Sequence, residues 1–165
     1  MTECWVLNAS PLIVLARVGL EDLPLSLAEQ VVVPRPVVEE IQAGPTLDPA
    51  RQAFAADRFT IVDPPPPPAE LLAWDLGYGE TAVLSWAIAK QGWTAILDDG
   101  EARKCARAFS IPLKGTLAVV LMAKQRGLIP SAGEVLQALV NTGFRLDERL
   151  IRDALARAAD ETWPP

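Results

Sequence analysis

The residues best suited to chemistry in this chain are oxygen donors that follow or precede short apolar runs. Asn8 follows Cys4-Trp5-Val6-Leu7, and Asp98-Asp99 follow Thr94 to Leu97. Glu40 lies in Val37-Val38-Glu39-Glu40-Ile41, and Glu80 opens the segment that runs to Gln91. The chain has no histidine, which excludes Ser-His-Asp triads, Cys-His pairs and histidine-ligated zinc. Carboxylates drawn together repel, and burying them is costly, so such a cluster is stable chiefly around a cation. Mg²⁺ or Mn²⁺ suits oxygen donors best. A bound metal lowers the pKa of its water and clamps a phosphoryl oxygen, which is the chemistry of phosphodiester cleavage. Asp98, Asp99 and Glu80 are equally suited to capping helix N-termini, and spacing alone leaves both readings open. Glu39 and Glu101 read as solvent-facing neighbours of these groups.

Other site chemistries find little support. Gly77-Tyr78-Gly79-Glu80 is not a dinucleotide fingerprint, and Lys114-Gly115-Thr116 is not part of a P-loop. Ser10 and Ser85 have no base placed beside them in motif form. The formal charge of −6 argues against a general polyanion binder. Distribution matters more than the total: Arg103, Lys104, Arg107, Lys114, Lys124 and Arg126 fall between Ala102 and Gly133 with no acidic residue among them. That run fits either a basic binding surface or an ordinary solvated helix face.

The elements that must position these groups alternate between strand and helix. Cys4 to Leu7 reads as a strand, followed by Ser10 as N-cap with Pro11 at the first helical position. Val31-Val32-Val33 is a second strand, and a helix over Val37 to Ile41 ends near Gly44. Asp48-Pro49 opens an Ala-rich helix to about Asp57, and Phe59 to Val62 is a strand. Pro64 to Pro68 must be extended, so residues 63–69 form a stiff surface loop. Apolar residues at Val83, Leu84, Ala87 and Ile88 predict a helix over Glu80 to Gln91. Thr94 to Leu97 is a strand, Asp98-Asp99-Gly100 a turn, and Glu101 to Phe109 a helix. Ile111 to Lys114 is a short strand placed at an edge by Pro112. Leu117 to Arg126 is helical, and residues 131–160 carry two C-terminal helices, one opened by a Ser131/Glu134 capping box and one by Asp147. This alternation implies right-handed crossovers and a mostly parallel sheet covered by helices on both faces. In such a sheet, ligands bind at the carboxyl ends of the strands, where Asn8, Asp98 and Asp99 lie.

Composition agrees with one α/β domain spanning residues 1–165. Half of the residues are hydrophobic and 22% are charged, so a well-buried core is expected. The longest apolar runs, such as Leu117 to Ala123, are too short to span a bilayer. The start lacks the basic region of a signal peptide, which makes the cytoplasm the expected location and a membrane partner unexpected. Cys4 and Cys105 read as free thiols with no CxxC neighbour.

The runs VLNASPLIVLARVG, VVVPRPVVEEI, LGYGETAVLSWA, AILDDGEARKCA and IPLKGTLAVVLMAKQRGLI, taken in order, resemble the PIN-domain superfamily, in the branch related to VapC-type toxins of bacterial toxin-antitoxin systems. The resemblance covers nearly the whole chain. It implies a three-layer α/β/α fold and a Mg²⁺- or Mn²⁺-dependent endoribonuclease, the toxin of a toxin-antitoxin pair. Carried over by position, Glu40, Glu80 and Asp99 match the family's acidic residues, with Asp98 the alternative to Asp99. Thr116 matches a small polar residue near the site. Typical PIN nucleases place an aspartate where this chain has Asn8, so one carboxylate is missing. An amide oxygen can still ligate a metal, with lower affinity.

The expected ligand set is thus Asn8, Glu80, Asp99 and Asp98, with Glu40 completing the catalytic group. RNA is the expected substrate, contacted by Arg103, Lys104, Arg107, Lys114 and Thr116. The expected partners are a small cognate antitoxin covering the cleft and a second copy of the chain in a homodimer. A competing reading, which Asn8 favours, is a catalytically weak PIN-like module that binds RNA or a partner protein.

Overall fold

The β-branched and apolar runs of the sequence form five strands in a computed structural model that describes residues 2–55 and 57–165. The strands are β1 (Cys4–Leu7), β2 (Gln30–Pro34), β3 (Thr60–Val62), β4 (Thr94–Ile96) and β5 (Leu113–Lys114). Every pairing is parallel and the spatial order is β3-β2-β1-β4-β5. β1 is central: Trp5 stands opposite Val31 on one side and Thr94 on the other. Trp5, Val6 and Leu7 are fully buried, as expected of a strand covered on both faces. The order places a topological switch between β1 and β4, where connections leave in opposite directions and open a crevice.

Helices flank this sheet, giving the α/β architecture that the sequence predicts. They are α1 (Ala9–Arg17), α2 (Leu23–Leu27), α3 (Arg35–Gln42), α4 (Pro49–Ala55), α5 (Ala69–Leu72), α6 (Tyr78–Ala89), α7 (Gly100–Ala108), α8 (Thr116–Gln125), α9 (Ala132–Asn141) and α10 (Glu148–Ala158). α6 packs against β1, β2 and β4 and also against α3. It is apolar around much of its circumference, with Val83 and Leu84 fully buried. Burial on several sides suits a helix wedged between a sheet and other helices. Among the described residues, no helix is long and apolar enough to cross a membrane.

Several local features differ from the sequence expectation. α1 begins at Ala9 with Asn8 as its N-cap residue, so Ser10 lies inside the helix rather than capping it. The strand-to-helix turn is tighter than Pro11 suggested, and Ser10 instead donates to Asp98 at 3.3 Å. α2 and α5 are helices of five and four residues, too short to show a 3.6-residue period. The expected continuation of α4 to Asp57 crosses Ala56, which lies outside the described residues, as does Met1. Pro64 to Pro68 are extended as expected, and Arg35 pins the start of that stretch through its Nε to Asp63 Oδ1 at 2.7 Å.

At the C-terminal end, Ser131 caps α9 by accepting from the Glu134 N–H at 3.1 Å. Glu134 does not supply the returning half of the box. Glu161 instead binds the helix start from the far end of the chain, accepting from Ser131 Oγ at 2.6 Å and from the Ala132 and Gly133 N–H groups at 2.9 and 3.0 Å.

Candidate active-site cleft

Strand β1 ends at Leu7 and delivers Asn8 to the switch point, where its backbone N–H donates to Ile96 O of β4 at 3.1 Å. Asn8 is 4% exposed, and its side-chain oxygen is buried with no hydrogen-bond partner. An orphaned buried acceptor is costly in a finished core and calls for an explanation. The neighbour that explains it lies across α6. A Cβ built on Gly79 would sit 3.3 Å from Asn8 Oδ1 and 2.8 Å from Glu40 Oε2. The missing side chain therefore lets both oxygens approach the α6 backbone at one point, where a Cβ would collide with them. Glu40 reaches it from α3 because Val37, Val38 and Ile41 turn the other face of that helix into the core.

Glu80 is the third residue of α6, where its Oε2 accepts from the Gly77 N–H at 3.1 Å, the returning half of a capping box whose other half a glycine cannot supply. Its carboxyl titrates above the ordinary glutamate range. Burial is the main cause; the Gly77 N–H opposes it, and the negative charges of Asp99 and Glu40 add to it. Glu40, Glu80 and Asp99 thus share one electrostatic field although they come from three different helices. Asp99 is the N-cap of α7 and accepts from the Ala102 N–H at 2.9 Å, while remaining exposed. A cavity of about 430 Å³ opens beside Glu40, Gly79 and Glu80.

Asp98 is employed differently. Its Oδ1 accepts from the Thr116 N–H at 2.8 Å, and its Oδ2 accepts from Thr116 Oγ1 at 2.6 Å and from Ser10 Oγ at 3.3 Å. Arg103 closes the same corner: a Cβ on Gly115 would lie 3.0 Å from both Arg103 Nη1 and Asp98 Oδ1. Asp98 therefore ties β4 to the start of α8, and its oxygens are already engaged.

The donor set suits a hard cation. It comprises an orphaned amide oxygen on Asn8, the Glu40 carboxylate that meets it over Gly79, and Glu80 with Asp99 within its electrostatic reach. Oxygen donors of this kind fit Mg²⁺ or Mn²⁺ rather than zinc. The fit is looser than that of a closed metal site. Among the described residues, no three histidine, cysteine, aspartate or glutamate side chains are close enough to hold an ion. In the resemblance, Asn8 takes the place of a further carboxylate beside those of Glu40, Glu80 and Asp99.

The basic candidates do not gather at this rim. Arg103 turns inward and donates from Nη1 to Leu97 O at 2.9 Å, and its pKa is lowered mainly by burial and then by the charge of Arg107, with Asp98 opposing. Lys104 pairs with Glu101 at 3.0 Å. Lys114 reaches Glu3, which precedes β1 at the other end of the sheet, at 3.5 Å. Arg107 is exposed on the last turn of α7. Thr116, expected among the RNA contacts, is fully buried, so its reach is spent on Asp98 rather than on a ligand. Further along the same run, Arg126 is anchored to Leu27 O at 2.7 Å and Lys124 to Pro130 O at 2.7 Å.

Gly79 and Tyr78 are site residues that the sequence reading passed over. Their signal was Gly77-Tyr78-Gly79-Glu80, where two glycines flank an aromatic at a helix start. Tyr78 is 91% exposed at the lip of the cleft.

A family model described as PIN domain matches residues 4–160. No curated protein matches the chain. The matched span contains every residue of the cleft, and a PIN domain points, at the broadest level, to nuclease-type hydrolysis. The chain belongs to the PIN-domain family.

Proposed function

We propose that this protein is a divalent-metal-dependent endoribonuclease whose cleft lies between α3, α6 and α7. The observation that carries the reading is the buried, unpartnered Asn8 Oδ1 meeting the Glu40 carboxylate over Gly79, where only a glycine lets both approach. Asn8, Glu40, Glu80 and Asp99 would hold Mg²⁺ or Mn²⁺, which supplies charge for the phosphoryl oxygens and an activated water. The protein's own residues do the positioning. The Gly77 N–H holds Glu80 in place, and the α7 N-terminus fixes Asp99 through the Ala102 N–H. The branch resemblance extends the proposal to a toxin role, with a small antitoxin covering the cleft and a homodimer as the working form.

Purified chain incubated with RNA and Mg²⁺, beside EDTA and Asp99→Asn controls, tests this. Cleavage that stops with EDTA and drops with the substitution is expected. Cleavage that survives both overturns the proposal.

A second reading, a catalytically weak module that binds RNA or a protein, is favoured by one observation. Asn8 replaces a carboxylate, and the described acidic groups do not close around an ion as they stand. RNA retained on the protein without cleavage at any Mg²⁺ concentration is its expected signature.

A further inference from the structure

A second and larger cavity, of about 710 Å³, adjoins the cleft. It lies under the extended proline stretch and shares Pro36, Glu39, Gly77 and Tyr78 with the carboxylate cavity. Its volume is that of a small-molecule site. One wall is Pro64 to Pro67, held against α3 by the Arg35–Asp63 pair. That pair is exposed, so it sets the position of the wall more than it stabilises the fold.

Two features of this cavity go unused by the fold. Ser85 lines it at 2% exposure, and its hydroxyl is buried with no hydrogen-bond partner. Tyr78 stands at the junction of the two cavities with its ring almost wholly in solvent. An aromatic face, an apolar proline wall and an unpartnered hydroxyl are what a flat ring with two apolar faces and a polar edge requires. The rim adds Glu39 and Asp75, which are acceptors for amino groups and repel phosphate, while Asp63 is already paired with Arg35, which also lines the cavity.

We propose that this cavity is a nucleobase subsite, resting on the ribonuclease reading above, and that it takes a base carrying an exocyclic amino group. The base stacks on Tyr78 and turns its polar edge toward Ser85. Glu39 and Asp75 keep the adjoining phosphates from their side of the cavity, and the chain passes across Tyr78 to the cleft of Glu40 and Glu80. The subsite thereby selects which nucleotide lies beside the scissile bond.

The test is a titration of the full chain with adenosine, cytidine, guanosine, uridine and ribose in EDTA, followed by amide NMR. Saturable shifts at Gly77, Tyr78, Thr81 and Ser85 are expected from the amino-bearing nucleosides, weaker ones from uridine and none from ribose. Tyr78→Ala, a surface change, should weaken binding about tenfold. Ser85→Ala should weaken it several-fold at unchanged Tm, because the hydroxyl has no partner to lose. No saturable shift from any nucleoside, or equal affinity in Tyr78→Ala, overturns the subsite. So do shifts produced by a leucine-rich peptide alone, which would mark a protein-docking surface. Because EDTA removes metal, the titration fails independently of catalysis. Nucleoside binding without Mg²⁺-dependent cleavage sinks the nuclease and keeps the subsite, whereas cleavage with an unchanged KM in Tyr78→Ala sinks the subsite and keeps the nuclease.

Discussion

Thr116 holds both oxygens of Asp98, with its N–H on Oδ1 at 2.8 Å and its hydroxyl on Oδ2 at 2.6 Å. Two donors from one residue fix a carboxylate's plane, and Ser10 adds a third from α1. The relationship divides the adjacent pair Asp98-Asp99: the first braces β4 against α1 and α8, and the second caps α7 and stays exposed within the electrostatic reach of Glu80.

Thr116→Val removes the hydroxyl with little change in shape. Thr116 is fully buried and its hydroxyl serves a charged acceptor, so the loss is expected to be about 1.5–3 kcal/mol. Denaturant unfolding checks this. An unchanged midpoint would show that the brace carries no stability.

Gly79→Ala separates stability from site geometry. Alanine is the better helix former by up to about 1 kcal/mol. The atom its Cβ would meet most closely is the end of the flexible Glu40 side chain at 2.8 Å. The metal-free Tm should therefore hold or rise by roughly 2–4 °C. Mn²⁺ affinity should fall by about tenfold or more as Glu40 is displaced. Calorimetry of both properties reads the outcome, and retained affinity contradicts the placement of Glu40.

The order of the main elements was legible in the sequence because each apolar run is closed by glycine, proline or a capping aspartate. Asn8, Glu40, Glu80 and Asp99 were legible for the same reason, since strand ends and helix starts can be counted along the chain. Gly79 was not, because its importance arises where α3 crosses α6, and no local pattern records a crossing. Arg103 misled in the opposite way. It reads as a solvated cation, yet its guanidinium bonds to the end of β4 at Leu97 O. The burial of Thr116 likewise depends on where α8 begins relative to β4, a tertiary fact.

Asn8→Asp restores the carboxylate of the typical pattern. At 4% exposure and next to the Glu40 carboxylate, the added charge should destabilise the metal-free protein by roughly 1–3 kcal/mol. It should tighten Mn²⁺ binding on the order of tenfold, since affinity follows ligand charge. Thermal unfolding with and without Mn²⁺ measures both. Equal affinity in the variant and the natural chain would remove Asn8 from the ligand set.

Glu161 makes stability depend on acid. Burial alone would raise its pKa, but hydrogen bonds from Ser131, Gly133 and Ala132 and the charge of Lys124 outweigh it, and the net shift is downward. A carboxyl with a depressed folded-state pKa contributes fully above its unfolded value of about 4.3, and the contribution vanishes as pH falls through the folded value. Glu161→Gln should cost ~1 kcal/mol at neutral pH. The gap to the natural chain should close below about pH 4.3. A gap that stays constant across that range would place the loss elsewhere than in the carboxylate.

The most direct measurement is the anomalous density of a crystal soaked in Mn²⁺. The account predicts one peak in the cleft, bordered by Asn8 Oδ1, Glu40, Glu80 and Asp99, with Asp98 still bound to Thr116. A peak ligated by Asp98 in place of Asn8 and Glu40, or an empty cleft at Mn²⁺ concentrations that support cleavage, would contradict it.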